Sequence, residues 1–96
     1  MKRDDILSIL RAFKQNTAEK YDITNIGIFG SYARDEAQED SDVDIVFETN
    51  TPNLFRTVRM KAELEFLFSR HVDVVRLRAN MNPRLKSRII REAKYV

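Results

Sequence analysis

The sequence predicts an α/β fold (α+β): one small mixed β-sheet with helices packed on it, in the order α-β-(α)-β-α-β-α. Three observations carry that prediction. Short β-branched segments recur at Ile23–Phe29, Ser41–Phe47 and His71–Leu77. The stretches around them place apolar residues at helical spacing. The chain has 96 residues, 43% of them hydrophobic, which suits a single domain over 1–96 with a core of its own and a thin margin of stability.

The first helix is expected from Asp4 to about Lys20. Ile6, Ile9, Leu10 and Phe13 recur at helical spacing, Leu7 widens the stripe, and Asp4 or Asp5 can accept free N–H groups at its start. Ile23–Phe29 reads as a buried strand that stops at Gly30. Ser31 to about Glu36 can begin a helical turn, and Glu36–Ser41 is a polar loop. Ser41–Phe47 alternates polar and apolar with period two, as a strand does. Thr51-Pro52 reads as an N-cap followed by proline at the first helical position, opening a helix to about Ser69. Its apolar residues, among them Leu54, Phe55, Val58, Ala62 and Phe66, cover more than one stripe, so burial on several sides is expected, with Met60 and Phe66 in the core. Asn82-Pro83 repeats the cap-then-proline signal before a last helix with Leu85, Ile89 and Ala93 on one face.

Composition excludes several chemistries. The chain has no cysteine and one histidine, His71, which removes disulfides, thiolate sites and multi-histidine zinc sites. His71 itself reads as a satisfied polar residue. No apolar run approaches the ~20 residues of a membrane span, and acids follow the bases of the N-terminus at once, so a soluble, cytoplasmic protein with no membrane partner is expected. Net charge is +2, but it is polarised: residues 76–96 carry seven bases and one acid. Such a segment invites an acidic partner, a nucleic acid or a nucleotide phosphate, or is simply a solvated helix face.

Three aspartates stand where strands disfavour them: Asp42 and Asp44 in one strand, Asp73 in another. Two residues apart, Asp42 and Asp44 project from one face at about 6.6 Å, where two charges repel by roughly 2–3 kcal/mol. A hard divalent cation offsets that repulsion, since Mg²⁺ is commonly held by carboxylates together with substrate phosphates. Asp73, between Val72 and Val74, can supply a third carboxylate; the plainer alternative is that these acids cap strand ends. At Gly30-Ser31 a strand meets a helical turn, where backbone N–H groups and a hydroxyl can meet a phosphate, and Arg34 can grip one bidentately.

The stretch Gly30-Ser-Tyr-Ala-Arg34, then Ser41-Asp-Val-Asp44, then a strand with Asp73, resembles the nucleotidyltransferase superfamily that includes DNA polymerase β. Within it, length and wording are similar to the minimal nucleotidyltransferase (MNT) proteins, antitoxins of HEPN–MNT toxin–antitoxin pairs. The resemblance implies a polymerase β-like core, Asp42, Asp44 and Asp73 as catalytic metal ligands, and Gly30, Ser31, Arg34 and Ser41 at the nucleotide. It also implies two Mg²⁺ ions, ATP as substrate, and a cognate HEPN toxin as partner. Many such sequences have Gly after the Arg; here it is Asp35.

The implied reaction is transfer of AMP from ATP to a protein hydroxyl, a tyrosine of the toxin RNase, with Asp73 also able to take the acceptor proton. Larger relatives hold the acceptor on an added domain, for which 96 residues leave no room. Two alternatives stay open: an idle antitoxin that blocks its toxin sterically, and a nucleic-acid-binding regulator using residues 76–96, in which Arg84, Arg88 and Arg91 would carry affinity.

Overall fold

The computed structural model describes residues 1–96. Its elements are α1 (Arg3–Tyr21), β1 (Ile23–Phe29), α2 (Gly30–Ala33), β2 (Val43–Thr49), α3 (Leu54–Phe68), β3 (Val72–Arg76), α4 (Pro83–Glu92) and β4 (Lys94–Tyr95). The four strands form one mixed sheet in the order β3-β2-β1-β4. β1 pairs antiparallel with both β2 and β4, while β2 and β3 run parallel.

Alternation along the strands sends side chains to two different faces. On one face Ile26, Ile28, Val43, Ile45 and Phe47 meet Ile6, Leu10 and Phe13 of α1 and Met60, Leu64 and Phe68 of α3 in the main core. On the other, Phe29 and Val46 pack against Ile89, with Leu85 and Ala93 around them. One side of the sheet is therefore covered by two helices and the other by α4 alone, which leaves part of that second face open.

Helix starts differ from the sequence expectation in two places. α1 begins at Arg3, and Asp5 serves it from inside the first turn, accepting the Lys2 backbone N–H at 3.0 Å. The N-cap of α3 is Asn53, whose side chain accepts the Arg56 N–H at 3.0 Å. Thr51-Pro52 lies before it, and the Thr51 hydroxyl instead donates to Asp22 at 2.6 Å. The Asn82-Pro83 start of α4 is as read, with the Asn82 side chain accepting from Arg84 and Leu85.

The burial expected for α3 needs correction. Met60, Leu64 and Phe68 face the core, but Phe55 and Phe66 are each 83% exposed and Leu54 74%. Phe66 is thus a surface residue. β4 has no counterpart in the sequence reading, because two residues are too few to show a period. It approaches β1 closely only because Gly27 has no Cβ; one there would strike the Lys94 carbonyl.

Candidate active site

Parallel pairing of β2 with β3 sets Asp44 directly beside Asp73, on the sheet face that α4 only partly covers. Asp42 precedes β2 rather than lying within it. The Val43 N–H donates to the His71 carbonyl at 3.1 Å, which brings the residues just before the two strands together. As a result His71 Nδ1 lies 3.3 Å from Asp42 Oδ2, and ligand atoms of Asp42, His71 and Asp73 fall within 4.8 Å of one another. All three are exposed, whereas Asp44 is half-buried.

Burial pushes the Asp44 carboxyl up to about 6, and the neighbouring charge of Asp73 adds to the shift. Arg88 pulls the other way, Asp42 raises it further, and Arg34 lowers it. A carboxyl held close to protonation by burial, with neighbouring carboxylates adding to it, is one that a bound cation would return to its charged form. The donor set is oxygen-rich, and a hard divalent cation fits it.

Gly30 is fitted to the same spot. Its φ is +75°, in the left-handed region, and a Cβ there would collide with Asp44 Oδ2. β1 pairs Phe29 with Asp44, so the turn that follows passes over that carboxylate. Ser31 is half-buried in this turn, and Tyr32 is a core residue, 2% exposed. The loop then passes through Asp35 at φ 60°. This is a region that favours glycine, and Asp is one of the few other residues that enters it at modest cost.

Two residues assigned to the nucleotide have other partners. Arg34 Nη1 donates to Glu92 at 2.9 Å and its Nε to Glu36 at 3.3 Å. Ser41 Oγ accepts the Gln38 N–H at 2.8 Å, bracing the loop before β2. Glu92 also accepts the Gly30 N–H at 3.1 Å and lies 3.7 Å from Arg88 Nε. Burial raises its carboxyl, but the Gly30 N–H and the two guanidiniums outweigh burial and hold it below the usual range.

Between α3, α4 and the β3 edge runs a cleft of about 370 Å³, lined by Asp44, Asp73, Lys61, Arg88, Phe29 and Leu85, among others. Lys61 enters no ion pair. Sequence reasoning passed over Lys61 and counted Glu92 only as the one acid of the basic segment 76–96. It counted Arg88 only as part of a basic surface, although Arg88 and Glu92 stand four apart on one helix, a spacing that could have paired them.

The family described as Nucleotidyltransferase domain matches residues 10–96. Protein adenylyltransferase MntA of Thermococcus cleftensis is 37% identical over 94 residues, covering 97% of this chain and 94% of that protein. The solved structure of a candidate minimal nucleotidyltransferase superposes with a TM-score of 0.79 at 33% identity, covering 98% of this chain and 95% of the other. A tri-AMPylated Shewanella oneidensis HEPN toxin in complex with MNT antitoxin gives a TM-score of 0.59 at 21% identity over 88% of this chain and 70% of that one, a likeness of fold. The chain belongs to the nucleotidyltransferase domain family and is a nucleotidyltransferase.

Proposed function

We propose that this protein moves AMP from ATP to a hydroxyl of a protein acceptor, a tyrosine of a HEPN toxin, and so acts as its antitoxin. The observation that carries the reading is the Asp44–Asp73 cross-strand pair standing in a cleft beside the Gly30 turn. The relative named protein adenylyltransferase, alike over nearly its whole length, adds support for AMP and for a protein acceptor.

Asp42, Asp44 and Asp73 would hold Mg²⁺, two ions by the resemblance, and the metal when bound supplies positive charge to the triphosphate and the attacking oxygen. The chain's own groups do the rest. The Gly30–Ser31 turn receives phosphate oxygens, and Lys61 and Arg88 face the triphosphate from the cleft wall. Asp73, the exposed partner of the pair, takes the acceptor proton. The acceptor oxygen bonds to the α-phosphorus, the bond from that phosphorus to the bridging oxygen breaks, and pyrophosphate leaves with the electron pair.

The test is incubation of the purified protein with Mg²⁺, ATP labelled at the α-phosphate and the HEPN-domain protein, read by intact mass. A nucleotide adduct on a tyrosine is expected. An unlabelled acceptor would falsify the transfer, and neutralisation that survives Asp42→Ala with Asp44→Ala would point to steric blocking instead.

A further inference from the structure

α3 is apolar on two opposite sides. Met60, Leu64 and Phe68 face the core, and the other side carries Phe55, Val58, Ala62 and Phe66, all exposed. Phe55 and Phe66 lie eleven residues apart, which returns them to the same side after three turns. A surface helix ordinarily presents polar residues there. Each phenylalanine offers about 150–250 Å². Together with Val58, 59% exposed, and Leu54, the stripe reaches several hundred Å², on the order of half of what one partner contributes to a standard interface.

Two further observations bear on what would cover it. The stripe runs into the catalytic cleft, because Val58 lines both, next to Thr57 and Lys61. Its charge is also one-sided. Glu63 accepts the Tyr21 hydroxyl at 2.8 Å and Lys20 at 3.3 Å, and Glu65 accepts the Val72 N–H at 3.1 Å, so these acids are engaged within the fold. Arg59, exposed between Phe55 and Ala62, enters no ion pair. A second copy of the chain packed here about a two-fold axis would set Arg59 against its own equivalent, a like-charge contact that disfavours the pairing.

We propose that the outward stripe of α3, Phe55, Val58, Ala62 and Phe66 around Arg59, docks the protein acceptor and sets its hydroxyl over Asp73 in the adjoining cleft. The surface it fits is apolar and carries a carboxylate opposite Arg59. This inference rests on the protein-acceptor reading above.

The experiment is calorimetric titration of the HEPN-domain acceptor into the protein without nucleotide, with sedimentation of the protein alone. Phe55→Ser with Phe66→Ser is expected to raise the acceptor Kd about 100-fold. Melting temperature and Mg–ATP affinity should stay unchanged, since both rings point to solvent. Arg59→Glu should raise Kd about 10-fold, with a smaller effect at high salt. Unchanged acceptor affinity in the double variant overturns the proposal. So does a dimer of the protein alone that the double variant turns into monomer, because a second copy then covers the stripe. Acceptor binding that needs Phe55 and Phe66 but yields no adduct with ATP would sink the transfer reading and leave the docking surface standing.

Discussion

Glu92 accepts the backbone N–H of Gly30 at 3.1 Å across sixty-two positions of chain, and with the same oxygen accepts Arg34 at 2.9 Å. One carboxylate of α4 thus occupies both the N–H of the turn that the proposed function gives to the triphosphate and the guanidinium that the resemblance places at the nucleotide. Its side chain is only 14% exposed, so the arrangement is part of the packed structure.

Removing that carboxylate should have opposite effects on folding and binding. Glu92→Ala leaves the Gly30 N–H without its acceptor, costing about 1–2 kcal/mol in denaturant unfolding. It also removes an anion from the phosphate position and frees Arg34, so Mg–ATP should bind more tightly. Weaker nucleotide binding would show instead that Glu92 orients Arg34 for the phosphate.

Asp44 makes stability depend on pH. Its carboxyl rises from 3.8 to about 6 on folding, so the folded state holds the proton more strongly than the unfolded one. The stabilisation is full below the unfolded value and is lost as pH rises through about 6. The whole shift corresponds to about 3 kcal/mol, which solvent screening at a half-exposed group reduces to about 1 kcal/mol. Metal-free protein should therefore gain stability from pH 8 to pH 5 through this group. Asp44→Asn should remove the dependence, stabilise the metal-free chain at pH 8 and abolish transfer. Denaturant titrations in EDTA at both pH values check this, and an unaltered pH dependence in Asp44→Asn contradicts it.

Gly30→Ala tests the close approach of the turn to the carboxylate. The new Cβ meets Asp44 and a backbone at φ +75°, and the left-handed conformation alone costs about 1–2 kcal/mol for a residue with a side chain. Displacing Asp44 should lower kcat/KM by about 100-fold, a loss of nearly 3 kcal/mol in transition-state binding. Near-normal activity at a temperature where the variant is folded would mean that Asp44 need not stay where it is.

Asp35 gives a prediction of the other sign. At φ 60° glycine carries no steric penalty, so Asp35→Gly should be neutral or stabilising by up to about 1 kcal/mol. Asp35→Val should destabilise by more than that, because a β-branched residue resists this region. Thermal melts should place Asp35→Gly at or above the parent and Asp35→Val below it; equal melting temperatures for the two variants would show that the loop can leave this conformation freely.

From the residues alone β1, β2 and β3 were legible as short β-branched or alternating runs, and α4 as a cap, a proline and an apolar face. The Gly30–Ser31 turn and the Asp42–Asp44 pair stood out because each residue type is out of place in a plain strand. Those signals are local, carried by a few neighbouring residues. The two-sided apolar character of α3 was legible too, but its burial was not: periodicity reports which residues share a side, and only packing decides which side faces the sheet. Phe55 and Phe66 therefore came out exposed while Met60 and Leu64 went inside. In the same way, only the tertiary structure placed Asp73 beside Asp44, His71 against Asp42, and Glu92 on Gly30 and Arg34. Each of those contacts joins segments distant in sequence, and its partner is chosen by the pairing of β2 with β3 and the seating of α4, which no local spacing encodes.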